Sequence, residues 1–346
     1  MKPEKTRRYA PGIILLTGAS GLLGANVARE LVKRGYRLKV LMRPGSDQRG
    51  IANLPCTIIT GDLHQPETLK KALEGCEFLI HGAARTDQWP SDLPAFVKTN
   101  VEGTIYLVEA AKQMQIRKMI YVSTANTVGP GTKEFPGVEC NTFHFSALNS
   151  GYINSKFMSE QYIQDQVRAS GFPAVIVNPS FLIGPWDLKP SSGKLLLHAF
   201  KSRIQLVPPG GKNFVYAGDA AVAICNALEK GKPGERYLLV GENLSYKEFF
   251  DLVNQYASRT PTQIPLPAFL LKIMGQVGDV WGKLTGKAEI NRITAKLCCC
   301  QTYYSGKKAI RDLGLPQTPV KEAIAEAIHW FENTKVINVG KMAKAS

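Results

Sequence analysis

Largely apolar runs of four or five residues lie at 13–17, 38–42, 57–60, 78–81, 119–123 and 174–178. Between them stand stretches at 22–34, 66–73, 96–113 and 152–169 whose apolar positions recur every three to four residues. The short runs suit strands covered on both faces, and the longer period suits amphipathic helices. Gly35, Gly75 and Gly171 close three of the helical stretches, at the position where a left-handed backbone ends a helix. Such strand–helix alternation predicts right-handed crossovers, and so an α/β fold with a doubly wound parallel sheet between helices. A ligand is then expected beyond the carboxyl ends of the strands.

After about residue 180 the rhythm changes, with Gly184-Pro185, Pro190 and Pro208-Pro209-Gly210-Gly211. A strand at 214–216, a helix at 220–229 and a strand at 236–240 are expected, then helices at 246–257, 268–284, 290–297 and 320–332. The reading is one large domain over 12–180, to which 212–240 returns. A smaller, mostly helical lobe over 181–211 and 241–335 covers its end, with tails at 1–11 and 336–346.

The turn between the first strand and first helix reads Thr17-Gly18-Ala19-Ser20-Gly21-Leu22-Leu23-Gly24. Glycines let the backbone turn sharply and approach a pyrophosphate, whose charge sits at the helix N-terminus. The first gap is one residue wider than in GxGxxG, but strand, turn and helix are in register, so a dinucleotide site of the Rossmann type is expected. The second strand ends Leu41-Met42-Arg43-Pro44 with no carboxylate before Asp47. A carboxylate there would accept from a ribose hydroxyl, whereas Arg43 can pair with a 2′-phosphate, so NADPH is expected over NADH. In Gly61-Asp62-Leu63, after the third strand, Asp62 can accept from the adenine amino group or serve as a plain turn residue.

The chemistry is carried by Ser150-Gly-Tyr152-Ile-Asn-Ser-Lys156. A tyrosine and a lysine four apart share one helix face, and an ammonium close to a phenol lowers its pKa. Thr124, with Ser123 as the second choice, stands at the carboxyl end of the fifth strand, where a hydroxyl can polarise a carbonyl. The expected reaction delivers hydride from the nicotinamide to a ketone carbon. Tyr152 donates the proton, and Lys156 holds the nicotinamide ribose.

These residues resemble the short-chain dehydrogenase/reductase superfamily in its extended branch, from about residue 12 to 335. The resemblance implies that Gly18, Ser20, Gly21, Leu22, Leu23 and Gly24 form the cofactor turn, and that Asp62 and Leu63 form the adenine loop. Ala83 and Ala84, in His81-Gly82-Ala83-Ala84, would line the cofactor, and Asn100 would open the buttressing helix. Thr124, Tyr152 and Lys156 fall at the catalytic positions, and Pro179 and Ser180 where the nicotinamide carboxamide is touched. A homodimer through the helices at 96–113 and 152–169 is also implied. Nucleotide-sugar epimerases and dehydratases of this branch carry Arg-x-x-Asn-x-x-Gly-Pro. Counted back from Gly184-Pro185, those positions hold Asn178 and Phe181, and an apolar ring cannot hold a diphosphate. Dehydratases add a carboxylate after the catalytic Thr, where Ala125 and Asn126 follow here. The segments 213–219, 233–237 and 264–267 instead resemble dihydroflavonol 4-reductase-like and 3-beta-hydroxysteroid dehydrogenase-like proteins. Those act on apolar, often ring-shaped ketones or alcohols.

Substrate contacts are less legible. Trp89, Phe181, Trp186, Phe135 and Phe143 are candidates for an apolar pocket, Asn126 is a further substrate candidate, and Arg85 and His144 are candidates for a polar end, although aromatics fill cores equally well. The apolar stretch 266–283, with basic flanks, reads as a lid helix packed over the substrate, with a membrane-surface helix as the alternative.

Formal charge is +15 over 346 residues. That excess suits a solvated basic surface, an anionic ligand or an anionic membrane. No nucleic-acid motif or basic run interleaved with aromatics accompanies it. The cysteines number 7, without paired CxxC spacing, which argues against a disulfide framework or zinc site, including at Cys298-Cys299-Cys300. With no secretory segment or spanning run, the expected location is cytoplasmic. Two rivals to an NADPH-dependent oxidoreductase stay open, a nucleotide-sugar epimerase or dehydratase and a non-enzymatic dinucleotide-sensing regulator.

Overall fold

The computed structural model describes residues 12–87 and 89–334; the tails expected at 1–11 and 336–346 lie outside them. The chain begins β1 (Ile13–Thr17), α1 (Leu22–Lys33), β2 (Arg37–Met42), β3 (Cys56–Thr60), α2 (Pro66–Leu73) and β4 (Phe78–His81). It continues through α3 (Leu93–Phe96), α4 (Gly103–Gln113), β5 (Lys118–Val122), α5 (Gly151–Ser170) and β6 (Ala174–Pro179). The later elements are β7 (Phe181–Ile183), α6 (Gly193–Lys201), β8 (Ile204–Val207), β9 (Gly211–Tyr216), α7 (Ala217–Lys230) and β10 (Arg236–Leu239). Then come β11 (Glu242–Ser245), α8 (Tyr246–Tyr256), β12 (Thr262–Pro265), α9 (Ala268–Thr285), α10 (Arg292–Cys298), β13 (Gln301–Thr302), α11 (Lys307–Leu313) and α12 (Val320–Asn333).

Seven strands form one parallel sheet in the order β10-β6-β5-β4-β1-β2-β3. Every residue of β4 and β6 is buried, as expected of inner strands covered on both faces. β3 departs from that expectation. It is the sheet edge, and Ile58 is exposed. One face is packed by α1 and α7 through Val27, Leu31, Ala220 and Ile224, and the other by α2, α4 and α5 through Leu69, Leu107 and Ile163. The order reverses between β1 and β4, which opens the crevice in which doubly wound sheets bind ligands.

The helix expected over 96–113 is interrupted. A π-helical turn at Val97–Glu102 separates α3 from α4. The lobe also differs from expectation, because it contains strands. β9 does not rejoin the large sheet but pairs with β7, β11 and β13 in a four-stranded sheet, while β8 pairs with β12. The chain therefore returns to the large domain at α7 rather than at residue 212. The lobe core stacks Phe214 on Phe249 with ring centroids 4.3 Å apart and adds Phe331 of α12. Because β7 follows β6 after a single residue, the lobe hangs from the carboxyl edge of the sheet.

Candidate active site

The glycine turn sits at the carboxyl end of β1, and its three glycines are required for different reasons. Gly18 has φ +83°, and a Cβ there would lie 2.6 Å from the Ala83 nitrogen. A Cβ on Gly24 would lie 2.1 Å from the Gly18 oxygen, so this glycine lets α1 press onto the turn. At Gly21 the nearest protein atom would be 3.6 Å away. The space over Gly21 is thus not taken up by the fold. Gly21 is also the N-cap of α1, with no capping side chain and no acid in the first turn. Exposed N–H groups, the positive helix end and an open backbone together fit a pyrophosphate. Ser20 is exposed, Leu22 buried and Leu23 half-buried around it.

Around this turn, Arg43 is exposed just past β2 and makes no ion pair among the described residues. Asp47 is engaged by Arg49, whose Nη2 lies 2.7 Å away, and this pairing holds its carboxyl down at about 2. Asp62 accepts the His64 N–H at 2.9 Å, and Leu63 packs against Gly103.

At the end of β4 a hydrogen-bonded chain fixes the backbone that faces the turn. The Ala83 N–H donates to Thr17 Oγ1 at 3.1 Å, leaving the Thr17 hydroxyl proton for His81 Nδ1 at 2.7 Å. His81 Nε2 then donates to Thr104 Oγ1 at 3.1 Å, whose proton goes to the Asn100 carbonyl at 2.5 Å. This direction requires a neutral imidazole, and burial, aided by Lys156, drives His81 down to about 3. Asn100, within the π-helical turn, accepts the Arg85 N–H at 2.7 Å and donates to Ser155 at 2.9 Å. π-Turns often mark functional sites, and here the wide turn frees the Asn100 carbonyl to take the Ser159 hydroxyl too, at 3.0 Å.

The structure brings Thr124, Tyr152 and Lys156 together at the carboxyl end of β5. Ser150 caps α5 by accepting the Ile153 N–H at 3.3 Å, so Tyr152 and Lys156 occupy the first turns. Buried Lys156 donates to the Val122 carbonyl at 2.8 Å and stands 4.1 Å above the Tyr121 ring. The Thr124 hydroxyl stands near the Tyr152 phenol and accepts the Asn126 N–H at 3.4 Å. Ser123 Oγ is buried without a hydrogen-bond partner among the described residues. The expectation that Lys156 lowers the phenol's pKa does not hold in this arrangement. Burial raises Tyr152 to about 12, and the influence opposing it is the Thr124 hydroxyl. Burial also lowers Lys156 to about 7, with Glu160 working against it.

Sequence reasoning missed the groups behind this trio. The Glu160 carboxylate accepts from Thr127 Oγ1 and Asn178 Nδ2, both at 2.6 Å, and pairs with Arg236 at 3.5 Å. Asn178 Nδ2 also reaches the Thr124 carbonyl at 3.2 Å, which ties the carboxylate to the strand end bearing Thr124. The spacing Tyr152, Lys156, Glu160 repeats every four residues and was a readable signal. Thr127 and Asn178 lie on other elements and give no local one.

The remaining candidates scatter. Pro179 ends β6, and both hydrogen-bonding groups of Ser180 are taken, the N–H by Leu239 and the hydroxyl by Asn213 at 2.6 Å. The half-buried Arg85 guanidinium lies over the Phe96 ring and pairs with Asp87. Phe181 packs edge-on against Phe214. Trp186 does not join the site, since its ring lies 3.2 Å from the Arg29 guanidinium of α1 and beside Trp330 of α12. Phe135 is 82% exposed, Phe143 stacks on Phe157, His144 stands edge-on to Phe145, and Trp89 packs against Gly282 of α9.

A glycine turn at the switch point of a doubly wound sheet, facing a Thr–Tyr–Lys cluster, defines a dinucleotide-dependent oxidoreductase site. The chain belongs to the NAD dependent epimerase/dehydratase family, whose model matches residues 14–240. It is 30% identical over 329 residues to a putative dihydroflavonol 4-reductase of Synechocystis, covering 92% of this chain and 94% of that protein. It is 29% identical to sterol demethylase protein B of Methylococcus capsulatus, covering 93% and 99%. The solved structure of gox2253 superposes with a TM-score of 0.82 at 34% identity, covering 94% of this chain and 99% of the other. The chain is thus an NAD(P)-dependent enzyme of the extended short-chain dehydrogenase/reductase family, acting on CH–OH or keto groups.

Proposed function

We propose that this enzyme is an NADPH-dependent reductase of a ketone, or the reverse alcohol dehydrogenase, on an apolar ring-shaped or lipid-like substrate. The observation that carries the reading is the meeting of Thr124, Tyr152 and Lys156 at the end of β5, beside a glycine turn left open at Gly21. The nicotinamide, when bound, supplies the hydride. Tyr152, pushed up to about 12, stays protonated through the neutral range and gives its proton to the carbonyl oxygen as negative charge develops there. Thr124 orients that phenol and polarises the carbonyl. Lys156 keeps one N–H on the Val122 carbonyl and offers the others to the nicotinamide ribose. Exposed Arg43, with Asp47 held by Arg49, supports NADPH over NADH.

Phe181, packed on Phe214 where a diphosphate-binding branch would carry an amide, supports an apolar substrate over a nucleotide sugar. We also take the chain to be a homodimer through α4 and α5, which leave Tyr106 and Met158 exposed. The test follows NADPH oxidation over a panel of cyclic and aliphatic ketones, beside calorimetric titration with UDP- and dTDP-sugars. Ketone turnover without sugar-nucleotide binding supports the reading. Tight sugar-nucleotide binding with no ketone turnover moves the enzyme to the epimerase class.

A further inference from the structure

Helix α9 is built with its bulk on the outside. Only Leu271, Gly275 and Gly282 of its 18 residues are buried. The inward face is made of glycines that let the helix lie flat. A Cβ on Gly275 would lie 2.8 Å from the Ala295 Cβ, one on Gly278 would lie 1.7 Å from the Ile290 oxygen, and one on Gly282 would lie 2.6 Å from the Trp89 ring. At about 3.6 residues per turn, the opposite side collects Phe269, Ile273, Val277, Val280, Trp281 and Leu284. These are 62%, 51%, 61%, 61%, 62% and 78% exposed. The lid expectation, with the apolar face turned inward over the substrate, is therefore overturned. The adjoining pair β8 and β12 exposes Ile204, Leu206 and Ile264 as well.

An apolar stripe of this length in water marks a contact surface, and its surroundings say with what. Lys272 and Lys283 flank it on the helix, and Lys287 and Lys296 follow in the next segment. All four are exposed and form no ion pair among the described residues. Of the nearby acids, Asp279 is held by Arg292, which leaves Glu289. The whole chain carries +15. No helix among the described residues is long and apolar enough to cross a membrane.

We infer that α9 docks the enzyme on an anionic phospholipid surface. The stripe lies in the headgroup boundary with Trp281 and Phe269 as aromatic anchors, and the lysines meet the lipid phosphates. Cys298 and Cys299, half-buried behind the helix, and Cys300, packed with Phe145, Ile153 and Leu297, take no part in the contact. Trp89, which packs on Gly282, belongs to the segment leading away from the carboxyl end of β4, so the docked helix sits beside the mouth of the site.

The test sediments the full chain with vesicles of phosphatidylglycerol and phosphatidylcholine, and with phosphatidylcholine alone. Binding is expected on the anionic vesicles and much less on the neutral ones. Lys272→Gln with Lys283→Gln should weaken it about thirtyfold, at about a factor of five per lysine. Val277→Glu with Trp281→Glu should abolish it while thermal stability stays unchanged. Quenching of Trp281 emission by brominated lipid, absent in Trp281→Phe, reads the same contact without a disruptive variant. Equal binding to both vesicle types, or to neither, overturns the inference. So does a Val277→Glu/Trp281→Glu variant that splits an oligomer by light scattering, or slows ketone turnover, while vesicle binding is unchanged. Vesicle binding requires no turnover, so this result and the proposed activity fail independently.

Discussion

Lys156 offers a test whose sign is set by burial. In the unfolded chain its ammonium titrates near the ordinary lysine value of 10.5, and in the folded protein burial lowers that to about 7. A folded pKa below the unfolded one means that folding opposes protonation. The folding cost is present in full below about pH 7, is relieved as pH rises through the folded value, and is gone above the unfolded one. Between pH 6 and pH 9 the relief integrates to about 2 to 3 kcal/mol, at about 1.4 kcal/mol per pH unit of unequal protonation. Lys156→Met keeps the chain's length and apolar stem and removes the charge. It also loses the bond to Val122 and the contact with the Tyr121 ring, but these losses carry no comparable pH dependence. Urea unfolding of both proteins across that range isolates the lysine, because other titrating groups cancel. The stability of the wild type should rise relative to the variant by that amount. Two curves that run parallel to within about 0.5 kcal/mol, the ordinary scatter of surface changes, would refute the buried, depressed lysine.

Four further outcomes are expected. Tyr152→Phe should lower ketone turnover about 100- to 10,000-fold, while NADPH affinity, read by fluorescence titration, changes less than about threefold. Arg43→Glu should weaken NADPH about ten- to hundredfold and NADH little, since one charge-assisted bond to the 2′-phosphate is lost; an unchanged preference removes the basis for NADPH. Gly24→Ala, whose Cβ would meet the Gly18 oxygen at 2.1 Å, should cost about 1–3 kcal/mol in thermal or urea unfolding. Gly21→Ala meets nothing closer than 3.6 Å, so it should leave stability alone and weaken NADPH at least about tenfold by filling the space kept for the pyrophosphate.

The large sheet was legible because buried parallel strands are nearly continuous apolar runs, and the glycine turn because its spacing serves one geometry. β7, β8, β11 and β12 were not, since they are only three or four residues long and owe their existence to partners distant in sequence. The Tyr152–Lys156 pair was visible as a four-residue spacing, yet its electrostatics were not. Spacing predicts a lowered phenol, whereas depth of burial decides the sign. Asn178 was legible as the start of the stretch resembling the one that touches the carboxamide and as a departure from a sugar-nucleotide motif, but its tie to Glu160 and Thr127 emerges only when β6 lies beside β5. In α9, apolar content suggested an inward face, but the positions of Gly275, Gly278 and Gly282 determine which side packs.

The π-helical turn at Val97–Glu102 makes α3 and α4 two halves of one rod set out of phase. One residue beyond the ordinary count rotates everything after it by about 100°. The first half can therefore aim Phe96 at Gly151 and the Arg85 guanidinium, while the second aims Leu107 and Ala111 at the sheet. A chain shortened by a single residue in this turn would regain regular winding and could satisfy only one of those two directions.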